Sequence, residues 1–152
     1  MRERSTAQVE ADLVTAGLEK PVAKKFAAGA GKSGKDAEKF VKENRDALGE
    51  ISRAVQKKLF EGIYPSYRKE ARRLYAKWTA SESDAVPWEQ LDQAIRDVLV
   101  DLRYQGSANR QRYLSATEND ACDLIEEIES SKVLMQYEEG RHRVRYLQRF
   151  AT

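Results

Sequence analysis

The acidic groups able to do chemistry in this chain are its 25 Asp and Glu residues. Two carboxyl groups held across a glycosidic bond can break it: one donates a proton and the other stabilises or attacks the sugar. Glu10, Asp12 and Glu19 are the earliest candidates. In a chain so rich in carboxylates some pair is always close in sequence. Spacing therefore selects no catalytic residue.

Other reactive groups are scarce. The single cysteine, Cys122, excludes an intramolecular disulfide and a cysteine-based zinc cluster. Asp120 and Asp123 beside it oppose a low thiol pKa, so it reads as a partly buried small residue. The single histidine, His142, lies between Arg141 and Arg143 and reads as exposed, with no Asp or Cys partner nearby in sequence for a triad. No metal and no cofactor is expected. Ala28-Gly29-Ala30-Gly31-Lys32-Ser33 ends like a phosphate-binding loop, but Phe26 stands where the first glycine is needed. The segment also follows a helical pattern rather than a strand, and reads as a turn between helices.

Twenty-seven Lys and Arg leave a net charge of only +2. That balance argues against a dedicated nucleic-acid binder. Arg141, Arg143, Arg145 and Arg149 make the last helix basic, and Glu126, Glu127, Glu138 and Glu139 are the expected compensating charges. No apolar stretch approaches the roughly 20 residues that span a bilayer. The first residues lead into a polar segment without an apolar signal core. The expectation is a monomer that is cytoplasmic until exported or released to the periplasm.

The elements that must position these groups read as helices throughout. Ser5 and Gln8 form a capping box, and Gly17 stops the helix they open. Pro21 fits the first turn of a second helix, and Ser33 opens a third. Ser52 caps a fourth, which Pro65 breaks or kinks. Pro87-Trp88-Glu89 reads as the start of the most hydrophobic helix, carrying Leu91, Ala94, Ile95, Val98, Leu99 and Leu102 and ended by Gly106. Thr117 with Asp120 opens the next helix, and Gly140 separates Val133–Tyr137 from the last one.

Four stretches have a common likeness. One is Leu91 to Gly106, which begins Leu-Asp, carries Arg96 before an aliphatic run, and ends Tyr104-Gln105-Gly106. Another is the Arg-rich Gly140-Arg141-His142-Arg143-Val144-Arg145-Tyr146-Leu147, and a third is Leu59-Phe60 followed by Tyr64-Pro65-Ser66-Tyr67. From about Ile51 to Phe150 their order resembles the helical lobe of phage-type lysozymes and pesticin-like peptidoglycan-cleaving toxins. Ala16-Gly17 to Phe40-Val41 resembles the inter-motif region of the pesticin-like toxins.

The resemblance implies an all-α fold, or α with at most a vestigial β element: a lysozyme-like multi-helix globule around a central buried helix over 88–105. The length of 152 residues reads as one domain over 1–152, which the resemblance divides into short helices over 5–47 and the helical lobe over 51–152. The resemblance also implies a muramidase-like protein acting on or binding glycan strands, a toxin or phage-lysis type of module of bacterial or phage origin. By position, Gln105 matches a cleft residue that contacts the sugar chain, and Tyr104 and Arg141 match residues of the same wall. Core packing for Tyr104 and helix capping for Gln105 are the structural alternatives. The family's acid is a glutamate followed by a Gly- and Thr-rich hairpin, and no such pattern occurs here, so the active site reads as incomplete. The expected partners are peptidoglycan or a protein that supplies or blocks the catalytic lobe. The alternative is a non-catalytic binding, immunity or accessory protein of the same fold.

Overall fold

The computed structural model describes residues 4–152. Among the described residues the regular structure is entirely helical, so the all-α expectation holds. The chain divides into two compact units, the first ending at Pro65 and the second running from Ser66 to Thr152.

The first unit holds α1 (Thr6–Thr15), α2 (Lys20–Ala27), α3 (Gly34–Leu48) and the beginning of α4 (Arg53–Trp78). Ser5 and Gln8 form the reciprocal capping box that the sequence announces. Leu13, Ala16, Ala23 and Ala27 are buried where α1 and α2 pack together. Small residues there let the two helices approach closely. Helix α3 buries none of its residues. Gly29 sits against Phe40 of α3, and a Cβ at that glycine would lie 2.7 Å from the ring. Ser52 caps α4 through the Val55 amide. Pro65 does not break α4, which is helical from Arg53 to Trp78. A proline removes one ladder donor, and the turns on either side carry the helix across.

The second unit is built on α5 (Gln93–Tyr104). Its Ala94, Ile95, Val98, Leu99, Val100 and Leu102 are all buried. Around them stand Ala71 and Tyr75 of α4, then Trp88, Leu91 and Tyr113, then Leu124, Ile128, Leu134 and Leu147 of the later helices. Those later helices are α6 (Arg110–Leu114), α7 (Ala121–Ser130), α8 (Lys132–Arg141) and α9 (Arg143–Phe150). Two buried hydroxyls close the core: Tyr113 donates to the Leu99 carbonyl at 2.8 Å and Tyr75 to the Val86 carbonyl at 2.7 Å.

Several boundaries differ from the sequence reading, each for a local reason. The helix expected over 88–105 is a 3₁₀ turn, Trp88–Gln90, followed by α5 from Gln93. Leu91 is extended, and Asp92 takes the cap by accepting from the Ala94 amide at 2.7 Å. Asp120, not Thr117, caps α7; the Thr117 hydroxyl donates instead to the Leu114 carbonyl. Helix α8 runs through Gly140, and His142 makes the break in the left-handed conformation with φ 55°. Helix α6 has no counterpart in the sequence reading; Asn109 caps it.

A polar seam joins α5 to the C-terminal segment. Three aspartates of α5 and its cap face it in order. Asp92 accepts from the Thr152 amide and hydroxyl, Asp97 from the Tyr146 hydroxyl, and Asp101 from Arg141 and Arg143. The order is antiparallel, which sets α9 alongside α5.

Candidate functional site

The C-terminal end of α5 gathers the three residues singled out by position, Tyr104, Gln105 and Arg141. Tyr104 is the last residue of α5 and Gln105 its C-cap, while Arg141 ends α8. The Arg141 guanidinium lies over the Tyr104 ring at 5.6 Å from its centre. Tyr104 is 41% exposed, so core packing does not account for it. Tyr67 of α4 meets it edge-on, with ring centres 5.1 Å apart. Arg103 in turn lies over the Tyr67 ring and pairs with Glu70. The result is an aromatic pair with an arginine over each ring.

Beside this pair is a residue that the sequence reading placed only among the arginines of the basic last helix. Arg143 is 2% exposed, and its Nε donates to Asp101 Oδ2 at 2.6 Å. Its Nη2 donates to Gln105 Oε1, and Nη1 has no hydrogen-bond partner. Asp101 Oδ1 accepts from Arg141 Nη1 at 3.0 Å. One carboxylate thus anchors both arginines. Gln105 does cap α5 through its backbone amide, which donates to the Asp101 carbonyl at 2.9 Å. Its side chain, however, is spent on Arg143.

Charge compensation therefore differs from the expected pattern. Arg141 and Arg143 pair with Asp101 rather than with Glu126, Glu127, Glu138 or Glu139. Glu138 instead accepts from the Val144 amide at the start of α9 at 2.7 Å, where a carboxylate is favoured by the helix dipole. Glu127 faces Arg112 at 3.7 Å. A signal for the true partner was present: Asp97 and Asp101 recur at i, i+4, on one side of a helix whose other side is buried, and half-buried carboxylates there need a partner.

The remaining candidates fall elsewhere. Asp12 pairs with Arg4, and Glu19 is the exposed cap residue of α2. The glycine-rich segment is the turn between α2 and α3. His142 is exposed. Cys122 is exposed as well, not partly buried, because the first turn of α7 turns it away from Leu124 and Ile128. Its thiol, hydrogen-bonded to Asp120 and beside that negative charge and Asp123, has its pKa pushed up. That opposes a nucleophilic role. Among the described residues no group of His, Cys, Asp and Glu could hold a metal ion, and no helix is long and apolar enough to cross a membrane. A groove of about 790 Å³ in the first unit is walled by Val9, Phe26, Ala37, Phe40, Val41 and Leu48.

The chain belongs to a family described as a domain of unknown function, DUF8812, whose model matches residues 1–146. No curated protein and no solved structure matches it.

Proposed function

We propose that the chain is a peptidoglycan-binding module, a lysozyme-like wall of a glycan cleft, and that the end of α5 is its contact surface. The observation that carries this reading is the Arg141 guanidinium set over the exposed Tyr104 ring beside Gln105. An aromatic face stacks on a sugar ring, and an amide exchanges hydrogen bonds with sugar substituents. The resemblance of Leu91–Gly106 and Gly140–Leu147 to the helical lobe of phage-type lysozymes and pesticin-like toxins supports the same reading. Hydrolysis needs two carboxyl groups held across the scissile bond. Among the described residues no hairpin carries such a pair. We assign the chain binding, with cleavage dependent on carboxylates from another segment or a partner protein.

Purified cell walls test this directly. The protein should sediment with them, and Tyr104→Ala or Arg141→Ala should reduce that binding with helix content unchanged. No sedimentation, or binding indifferent to both substitutions, would sink the proposal. Turbidity of the same walls tests the assignment of cleavage. Clearing abolished by Glu10→Gln, Asp12→Asn or Glu19→Gln would show that a carboxylate of this chain serves as the acid.

A further inference from the structure

Helix α3 is 15 residues long and buries none of them. A helix of that length is marginal in water by itself and is held by packing of its apolar face. Ala37, Phe40, Val41 and Leu48 form such a face, at i, i+3, i+4 and i+11. With Val9 of α1 and Phe26 of α2 they wall the groove of about 790 Å³. Phe40 is seated against Gly29, but Val41 is 55% exposed. Within the first unit the apolar face of α3 is thus packed along one side only.

The charges beside that face say what covers it. Glu38 and Arg45 are seven residues apart, nearly two turns, so they lie on one flank about 10 Å from each other. Neither pairs with a charged group among the described residues. The ion pair within α3 is Lys39–Glu43, at 3.8 Å. The midpoint of Glu38 and Arg45 falls between Val41 and Lys42. A second α3 turned antiparallel about that midpoint sets Glu38 level with Arg45 of the second copy, and Arg45 level with its Glu38. The same rotation brings the two Val41 side chains together at the axis. Arg45 also lines the groove, so the paired charges close its rim. Parallel pairing has no such match. The other flank of the apolar face carries Asp36 and Glu43, and a parallel second helix turns those carboxylates towards Glu38.

We propose that the chain forms a two-fold dimer through α3, in place of the monomer expected from its sequence, with the α3 of each copy lying antiparallel in the groove of the other. A two-fold interface uses one patch twice, so every favourable contact occurs in duplicate. The apolar side chains supply the attraction. The Glu38–Arg45 pairs, being exposed, add little affinity, but they fix direction and register.

Sedimentation velocity of the full chain tests this. At concentrations up to about 100 μM, a range that detects weak dimers, the mass should rise to twice the 17.4 kDa of one chain. Val41→Glu changes an exposed position, so helix content should hold while the dimer dissociates. Glu38→Arg and Arg45→Glu each set like charges together at two places and should weaken self-association about tenfold, as for two exposed pairs reversed. The double variant restores opposite charges and should recover the wild-type constant. A single-chain mass throughout would overturn the proposal; uptake of an apolar dye by that monomer, lost in Val41→Glu, would give the groove to a small ligand instead. A dimer indifferent to Val41→Glu would overturn it by placing the interface elsewhere. A double variant no tighter than the singles would overturn the antiparallel pairing.

Discussion

Arg143 and Asp101 meet at 2.6 Å across 42 positions of sequence, with the arginine almost wholly enclosed and the carboxylate at its edge. A pair of this kind is not in itself strongly stabilising, because both ions lose water on folding. Removing one partner is another matter. Asp101→Ala leaves Arg143 charged and enclosed, and should cost about 3–5 kcal/mol in the second unit. Adding Arg143→Met to that variant should restore much of the loss. Denaturant midpoints of the two singles and the double measure this, and strictly additive losses would contradict the pairing.

Tyr146 and Asp97 provide an alkaline test. Burial, with the Asp97 hydrogen bond and charge, pushes the Tyr146 hydroxyl up to about 12. The folded-state value lies above the ordinary 10, so the stability it contributes is complete below pH 10 and is lost as pH rises towards 12. Tyr146→Phe should be less stable than the wild type by about 1 kcal/mol at pH 8. That gap should shrink above pH 10. A gap constant from pH 8 to pH 11.5 would show that the hydroxyl is not held by Asp97.

Asp92 behaves in the opposite sense. The Thr152 hydroxyl donates to it at 2.6 Å and lowers its pKa, against a smaller opposing effect of burial, with the Thr152, Ala94 and Ile95 amides helping. A lowered folded-state value gives stability that is present above the ordinary carboxylate range and is lost as pH falls through the folded pKa. Asp92→Asn keeps an oxygen for the Ala94 amide and removes the titration. Its acid unfolding curve should therefore be flatter below pH 4 than that of the wild type. Asp92→Ala also loses the cap of α5, costing about 1 kcal/mol at neutral pH.

Leu99 reports on the core itself. It is fully buried at the middle of α5, and its carbonyl receives the Tyr113 hydroxyl. Leu99→Ala should cost about 2–5 kcal/mol, as for other large-to-small changes in close-packed interiors. A loss well under 1 kcal/mol would contradict the central place of α5, since about that much accompanies each buried methylene.

What could be read from the sequence was whatever is written in nearest neighbours. The Ser5–Gln8 box, Pro21 at the start of α2 and the apolar density of Leu91–Leu102 each involve residues close in sequence. Where two local signals competed, the stronger side chain won. Asp120 displaced Thr117 as a cap because a carboxylate is the better acceptor for free amides. Gly140 pointed two residues early, since a glycine is tolerated inside a helix and His142 accepted the left-handed turn instead. Helix α6 is five residues long, too short to show a period. At the site, position alone named Tyr104, Gln105 and Arg141. Arg143, which bonds to Asp101 and Gln105, is partnered across 38 and 42 positions, and no spacing rule reaches that far.

The seam along α5 also bears on how the chain is made. Its contacts join Asp92 to Thr152, 60 residues apart, and Asp97 to Tyr146, 49 apart. Closing loops of that length is entropically unfavourable until the contacts at their ends form. A nascent chain leaving the ribosome exposes the acidic face of α5 long before α9 emerges to cover it. The first unit, whose capping box and short helix pair are local, can order during translation, whereas the second must wait for its last residues. Until then Asp92, Asp97 and Asp101 have no partners from the C-terminal segment.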